Sequence, residues 1–328
     1  MDSLQSHAGD GLSAELTALA NRAAICPRDD RLMVRMAGDD RISFLHGMCS
    51  NDIKGLKPGM LTYALILTDH AHVIGDLYVW ADNGVLHLDV DRALWPRIRQ
   101  HLEKFLVADD VEMEEQEELA ILDVAGPDAA TAVAAVMPAA AQLAPWRFVL
   151  ERERMVANLP RIGLTAFTVV LPSSQAGSFL REMMAANPGL REVSVAALDV
   201  ARVEQGYARV GVDATEKTIA LEARLERGIS YSKGCYVGQE TVERATARGG
   251  VKKRLYGLRI SGRRPQTGAS AWLDGREVGQ VSSIAASPRL GIVGLAIMHH
   301  SAWQPGTRVV VKDGEGEVAA VVSELPFE

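Results

Sequence analysis

The chain has 328 residues, more than one hydrophobic core usually serves, and this length indicates two or three domains. Hydrophobic residues make up 48%, charged residues make up 23%, and the net charge is −7, a composition that argues against direct nucleic-acid binding. No stretch of about 18 apolar residues predicts a membrane span, and residues 1–9 lack the cationic start of a signal or transit peptide. Three scattered cysteines without a Cys-X-X-Cys pair predict no closed zinc site and favour a cytoplasmic protein.

The first third of the chain carries alternating helix and strand signals. Apolar residues at helical spacing predict helices over 12–24, 39–48 and 93–106. Strand signals cover 32–36, 63–68, 73–80 and 85–90, and the short turn segments 69–71 and 82–84 predict hairpins between the last three.

An acidic run over 112–118 follows, which we interpret as a domain edge or a solvated charged face. Behind it, a second α/β unit is predicted, with strands over 119–124 and 167–171 and helices over 129–136, 178–186 and 195–207.

After residue 250 the pattern changes to short strands separated by Gly, Pro, Asp and Ser turns. The predicted strands cover 255–260, 271–273, 277–283, 291–296, 308–311 and 318–322. Six short strands at this spacing predict a small β-barrel.

The most informative segment reads Lys-Gly-Cys-Tyr-Val-Gly-Gln-Glu over residues 233–240. Glycines around Cys235 leave room for a ligand or a backbone to approach closely. The ammonium group of Lys233 favours thiolate over thiol, and thiolate is the form that reacts and binds metals. The structural alternative is a turn that holds an inert, buried cysteine.

This octapeptide resembles the Lys-Gly-Cys-aromatic-X-Gly-Gln-Glu motif of the YgfZ group of folate-binding proteins. That group is related to the aminomethyltransferase (T-protein) of the glycine cleavage system, which carries Lys-Gly-Asp-Phe at this place, so Cys235 indicates the YgfZ branch. Weaker similarities follow in the family's order at residues 38–40, 44–47, 50–53, 56–59, 202–206 and 287–288.

The resemblance implies an α+β fold of the T-protein type, a three-domain cloverleaf with folate in its central opening and a C-terminal six-stranded β-barrel. The first domain is expected to be discontinuous, combining residues 27–115 with 195–248. The second is expected over 116–194 and the barrel over 249–328.

The resemblance also implies a set of functional residues. Cys235 is the expected functional thiol, with Lys233 beside it. Glu204 is a candidate for the pterin ring, since a carboxylate accepts two parallel hydrogen bonds from the ring's amino group and adjacent N–H, while the alternative is a surface glutamate. Arg202 is either a structural partner of Glu204 or a folate contact. The expected folate contacts are Glu204, Arg202, Tyr236, Gln239, Arg248 and Asp76.

A basic series lies around the end of the motif. Because arginine binds carboxylates in a bidentate way, part of the series is a candidate for the anionic glutamate tail of folate. The alternative is a solvated strand edge that discourages aggregation. The series consists of Arg244, Arg248, Lys252, Lys253 and Arg254.

One position departs from the T-protein pattern. T-proteins carry paired aspartates, the first of which supports aminomethyl transfer, and the aligned residues here are Gly75 and Asp76. Loss of one such electrostatic group can cost about 10²–10³ in rate. Glycine-cleavage activity is therefore not the first expectation.

Three functions follow from the resemblance. The first is a tetrahydrofolate-binding accessory protein for assembly or repair of four-iron clusters, with iron–sulfur proteins or assembly factors as partners and Cys235 as reactive thiol or transient cluster ligand. The second is a tetrahydrofolate-dependent aminomethyl or methyl transferase, and the third is a scaffold with a vestigial folate pocket. Three scattered thiols predict no stable cluster, and the family's link to tRNA modification is interpreted as indirect. Cys26 and Cys49 are interpreted as packing residues.

Overall fold

The computed structural model describes residues 2–247 and 250–328, with the backbone alone described for residues 2–10. The chain divides into two compact units. Unit 1 comprises Met1–Ile66, Gly75–Leu198 and Ser230–Tyr236. Unit 2 comprises Leu67–Ile74, Asp199–Ile229 and Val237–Glu328. The three-domain division stays a prediction.

The described residues form helices and strands throughout the chain. The α-helices are α1 (Asp2–Asn21), α2 (Arg41–Met48), α3 (Trp95–Glu103), α4 (Ala129–Ala134), α5 (Ser173–Ala186), α6 (Val195–Glu204) and α7 (Gln239–Ala247). The first eleven strands are β1 (Ala24–Pro27), β2 (Arg31–Ala37), β3 (Met60–Leu67), β4 (Val73–Asp82), β5 (Val85–Asp91), β6 (Glu112–Glu115), β7 (Leu119–Ala125), β8 (Arg147–Glu151), β9 (Arg154–Asn158), β10 (Ala166–Pro172) and β11 (Arg191–Glu192). The last six are β12 (Lys253–Ile260), β13 (Ser270–Leu273), β14 (Arg276–Ser287), β15 (Gly291–His299), β16 (Arg308–Asp313) and β17 (Gly316–Ser323).

The first eleven strands join into one sheet. Their order is β11-β1-β7-β10-β9-β8-β3-β4-β5-β2-β6. The neighbouring strands β7 and β10 are antiparallel, with Phe167 opposite Val124, and both side chains enter a core that also contains Phe179 and Met183 of α5. Every strand predicted in this part of the chain is confirmed. Five short strands were not predicted, namely β1, β6, β8, β9 and β11, because each has only two to five residues and little alternation.

The acidic run forms the edge strand β6, which pairs with β2 in the sheet. Glu112 and Glu114 are exposed, and charged side chains on an edge strand discourage pairing with another chain. The acidic run therefore forms a solvated, charged face at the edge of the sheet, which was one of the two interpretations of this segment.

Buried arginines and aspartates join strands of the sheet that are far apart in its order. Arg161 donates to Asp123 of β7 and also pairs with Asp89 of β5. Arg31 donates to Asp89 at 2.8 Å, and Arg28 pairs with Asp123. Burial alone raises the pKa of Asp123, but Arg161 and Arg28 outweigh it and hold this pKa at about 2. We call these five residues the arginine–aspartate network.

The last six strands close into a barrel within unit 2, in the order β12-β15-β14-β13-β16-β17, with β17 paired back to β12. Inward residues such as Leu258, Val281 and Val311 are fully buried. The predicted six-stranded barrel and the α+β fold of the T-protein type are confirmed. None of the described helices combines the length and apolar character needed to cross a bilayer.

Helix starts differ most from prediction. Helix α1 begins at Asp2 rather than at residue 12, and α5 begins at Ser173 rather than at residue 178. In α5 the buried residues are Phe179 and Met183, and both lie within the predicted part of the helix, 178–186. The apolar pattern therefore marks only the part of the helix that packs on the sheet.

Candidate functional site

The first half of the octapeptide is anchored in unit 1 by Lys233. Its ammonium group donates to the main-chain carbonyls of Cys49 at 2.8 Å and Asn51 at 3.0 Å, and also to that of His46. The amide of Ser230 donates to the carbonyl of Ser50 at 2.9 Å. The segment 230–236 is thus fixed to the end of α2 and to the loop that follows it, where cations and donors satisfy carbonyls that the helix leaves open.

The ammonium of Lys233 is occupied by these carbonyls and lies 4.9 Å from the ring centroid of buried Tyr236. Burial lowers its pKa. The contacts described for this ammonium do not include the sulfur of Cys235. Lys233 therefore has a clear anchoring role, and its effect on the thiol stays a prediction.

Cys235 is the exposed cysteine of the three. A Cβ atom placed on the adjacent Gly234 would meet no heavy atom within 4 Å among the described residues, so the backbone here borders open space. Cys26 and Cys49 are buried, and burial raises their pKa values to about 12 and about 11. Of the two interpretations of Cys235, the structure excludes the buried cysteine and leaves the accessible thiol.

The second half of the octapeptide begins unit 2 and is packed closely. Gly238 has φ +89°, and a Cβ atom there would lie 2.6 Å from the main-chain oxygen of Thr68. Only glycine fits such a position without strain. Gln239 starts α7, and its amide group donates to Glu243 at 2.6 Å. This half of the motif therefore has structural reasons for its residue types.

Asp76 lies on β4 in unit 1 and accepts a hydrogen bond from the hydroxyl of Tyr63 at 2.9 Å. The preceding Gly75 is buried, and a Cβ atom there would overlap the side chain of Ile98 on α3. An aspartate at position 75 therefore needs a displaced Ile98. Glycine at this position is matched to its surroundings, in line with the departure from the T-protein pattern.

Glu204 is the last residue of α6 and is half-buried in unit 2. Its main-chain carbonyl accepts a hydrogen bond from Phe327, while its carboxylate has no hydrogen bond or ion pair among the described side chains, residues 11–247 and 250–328. A carboxylate in this state is available to a ligand that presents two N–H groups.

Arg202 is buried in unit 2 and already has several hydrogen-bonding partners there. It is 5% exposed, pairs with buried Asp213, and donates to Asp199 at 2.8 Å and to the hydroxyl of Ser283 at 2.8 Å. Of the two interpretations, the structural one gains support, although the partner is Asp213 and not Glu204. Nothing in the sequence marks Asp213, eleven residues downstream, as that partner. The predicted contact between Arg202 and folate stays a prediction.

The basic series is only partly described. Arg248 lies outside the described residues. Arg244 pairs with Glu240 at 2.7 Å along α7, and Arg254 pairs with Glu226 at 3.1 Å. Both arginines are thus part of local ion pairs, and the predicted binding of the folate tail stays a prediction.

In the part of the chain that the structure describes, no group of three or more His, Cys, Asp or Glu side chains is placed to hold a metal ion.

Comparison with known proteins agrees with this architecture. Residues 4–233 match the GCVT N-terminal domain, and residues 253–327 match the glycine cleavage T-protein C-terminal barrel domain. A glycine cleavage system aminomethyltransferase T from Bartonella henselae superposes with a TM-score of 0.87 at 21% identity, over 97% of this chain and 89% of that chain, and shares its fold.

Relatives of similar sequence extend over most of the chain. A putative chloroplastic transferase of Arabidopsis thaliana is 26% identical, covering 90% of this chain and 68% of that protein. An aminomethyltransferase of Pelodictyon phaeoclathratiforme is 27% identical, covering 97% and 90%, and one of Bacillus subtilis is 26% identical, covering 90% and 84%. Membership of the YgfZ branch stays a prediction. The chain belongs to the glycine cleavage T-protein family, with its GCVT N-terminal domain and C-terminal barrel.

Proposed function

We propose that this protein binds tetrahydrofolate and, through the thiol of Cys235, supports assembly or repair of four-iron clusters in other proteins. The observation that carries the proposal is an exposed cysteine on an anchored segment. Lys233 and Ser230 fix the chain on the amino-terminal side of Cys235, while Gly234 borders open space. Such an arrangement presents a thiol at a defined place without burying it, as a group that reacts with a partner requires.

The folate part of the proposal is supported by Glu204. Its carboxylate is half-buried and without an ion pair in the described residues, and a group in that state loses hydration without a compensating contact. The pterin ring would supply two N–H donors to it. The aminomethyltransferases of this family act with tetrahydrofolate, as the resemblance implies, which supports the same cofactor here.

Titration of the purified, reduced protein with tetrahydrofolate by calorimetry tests this part first. We expect one site per chain, and about a tenfold or greater loss of affinity in Glu204→Gln, because a charge-assisted hydrogen bond is worth about 1.5–3 kcal/mol. The matched control is Glu317→Gln, since Glu317 is exposed on β17 and pairs with Lys312. Absence of binding at near-millimolar ligand would leave a scaffold with a vestigial pocket.

Replacement of the thiol tests the second part. Cys235→Ser is expected to fold and bind folate normally, but to fail to restore the activity of four-iron enzymes in a strain that lacks this protein. Cys26→Ala removes a buried cysteine and serves as the control for loss of a thiol elsewhere. Full rescue by Cys235→Ser would show that the thiol has no role.

The series of basic residues gives a finer test of the folate tail. Arg248→Ala is expected to abolish any preference for polyglutamylated over monoglutamylated folate, because Arg pairs with carboxylates in a bidentate way. Arg244→Ala removes an arginine that already pairs with Glu240 and is the control. Unchanged affinities in Arg248→Ala would assign the series to a solvated edge.

The second candidate is aminomethyl transfer to tetrahydrofolate, and the names of the relatives favour it over the first. Gly75 speaks against it, because the position that carries a carboxylate in T-proteins has no side chain and borders Ile98. Formation of 5,10-methylenetetrahydrofolate from an aminomethyl donor separates the two. Turnover that survives in Cys235→Ser would establish the transferase and remove the thiol from the function.

A further inference from the structure

A cavity lined by both polar and apolar residues lies within unit 2, and two of its residues, Asp213 and Lys253, are described above. Its volume is about 420 Å³, within the range of small-molecule sites. It opens between the loop that follows α6 and the barrel strands β12, β14 and β15. Five charged side chains line it. Asp213 is already paired with Arg202, and the other four are Lys217, Glu222, Lys253 and Glu277.

These four charges are balanced in number and are not paired with one another. Among the described side chains, residues 11–247 and 250–328, none of the four makes an ion pair, although the molecule has many ion pairs at its surface. A surface ion pair is worth only about 1 kcal/mol or less, so the fold loses little by leaving these charges unpaired. Two cations and two anions that face one cavity without pairing leave both signs of charge available to a ligand.

Glu222 is the most informative of the four. It is half-buried, and one carboxylate oxygen accepts the amide N–H of Ile219 at 3.1 Å. Burial raises its pKa, and the hydrogen bond from Ile219 together with the charges of Lys253 and His72 only partly opposes this effect. No described cation forms an ion pair with this partly buried carboxylate, and an ammonium group in the cavity would supply one.

Lys253 offers the complementary charge. It is the first residue of β12, it is exposed, and it lines the cavity together with Lys217. An ammonium group at such a place binds a carboxylate as a compact point charge. A ligand with separate positive and negative groups would therefore satisfy both sides of the cavity at once.

We propose that this cavity binds a small zwitterion that carries one ammonium and one carboxylate group, as a free amino acid or a short peptide does. Its ammonium group pairs with Glu222 and its carboxylate with Lys253. Binding here is independent of folate and of Cys235.

Ligand-observed NMR with four probes tests the proposal. L-alanine and L-alanyl-L-alanine carry both charges at two separations, while N-acetyl-L-alanine lacks the ammonium group and L-alaninamide lacks the carboxylate. We expect saturable millimolar binding of at least one zwitterion, with both blocked probes weaker by about tenfold or more. The zwitterion that binds more tightly identifies whether the cavity takes an amino acid or a peptide.

Two variants place the binding in the cavity. Glu222→Gln keeps an acceptor for Ile219, and its affinity for the zwitterion should be no higher than the affinity of the parent protein for N-acetyl-L-alanine. The affinity of Lys253→Gln for the zwitterion should be no higher than that of the parent for L-alaninamide. Glu317→Gln and Lys312→Gln alter a charged pair elsewhere on the barrel and should bind as the parent does. The proposal is overturned if neither zwitterion saturates, if a blocked probe binds equally well, or if both cavity variants bind as the parent does. Tetrahydrofolate titration of Glu222→Gln should be unchanged, because Glu222 lies outside the basic series considered for the folate tail, and this result separates the cavity from the proposed function.

Discussion

The arginine–aspartate network of unit 1 and the cavity of unit 2 use charged side chains in opposite ways. In the network, Asp89 and Asp123 are buried and each has two arginine partners. In the cavity, Glu222 and Lys253 are less buried and unpaired within the described residues. The comparison teaches that pairing, more than burial, separates charges that hold the fold from charges available to a ligand.

The largest effect is expected where pairing is complete. Arg161→Ala should lower the free energy of unfolding of unit 1 by about 3 kcal/mol, because it leaves two buried aspartates with one cation each. Urea unfolding followed by circular dichroism measures this. Arg181→Ala, on the exposed face of α5, should change the value by about 0.5 kcal/mol or less. Equal effects of the two would mean that the network contributes no more than a surface arginine.

Two glycines of the octapeptide also differ in their surroundings, since one is closely packed and the other borders open space. Gly238→Ala should cost about 1–3 kcal/mol, because the residue has positive φ and its new Cβ would lie 2.6 Å from the oxygen of Thr68. Gly234→Ala borders open space and should cost less than about 1 kcal/mol. Thermal unfolding of both variants checks this order. A stable Gly234→Ala that fails in the cluster-repair assay would indicate that a partner approaches there.

His46 gives a pH-dependent test of the loop that anchors Lys233. Its Nδ1 accepts the amide N–H of Ile53 at 3.2 Å, and burial, with Lys233 next in size, lowers its pKa. As the pH falls, His46 is therefore protonated in the unfolded chain before it is protonated in the folded chain. Stability should decrease as the pH falls through about 6.5, the ordinary value for histidine, and level off below the folded pKa.

The change should be about 1 kcal/mol, the worth of one hydrogen bond. His46→Gln keeps an acceptor that does not titrate and should lose this part of the pH dependence. The difference between parent and variant matters, because burial also lowers the pKa of His87 and His101. Identical melting temperatures against pH for parent and variant would contradict the assignment.

The smallest effect is expected at the unpaired carboxylate of the cavity. Because the pKa of Glu222 is raised, its contribution to stability is complete below the unfolded pKa of about 4.3 and decreases as the pH rises through the folded value. At neutral pH, Glu222→Gln should therefore be as stable as the parent, or more stable by about 0.5 kcal/mol or less. A loss above about 1 kcal/mol in thermal unfolding would make Glu222 a structural residue and erase the contrast with the network.

Much of the fold could be predicted from the sequence. The six barrel strands are short apolar segments bounded by Gly, Pro, Asp and Ser turns, and all six were predicted. The resemblance led to the glycine cleavage T-protein family, which the two domain matches confirm, while the YgfZ branch indicated by the octapeptide stays a prediction. Short strands such as β8 and β9 were not predicted. Pairing with their neighbours in the sheet, and not their own residue pattern, decides that these segments are strands.

The sequence by itself therefore determined the family, the barrel, and Cys235 as the residue to test. Only the tertiary structure decided which charged side chains already have partners within the protein. Lys233 binds three carbonyls near α2, an anchoring role that the sequence did not indicate, and Arg202 is paired with Asp213 and not with Glu204. The physical reason is that a charge is satisfied by whatever lies within about 4 Å of it, and residues far apart in sequence supply those partners. Glu204 and Cys235 remain available because no such partner lies beside them in the described chain.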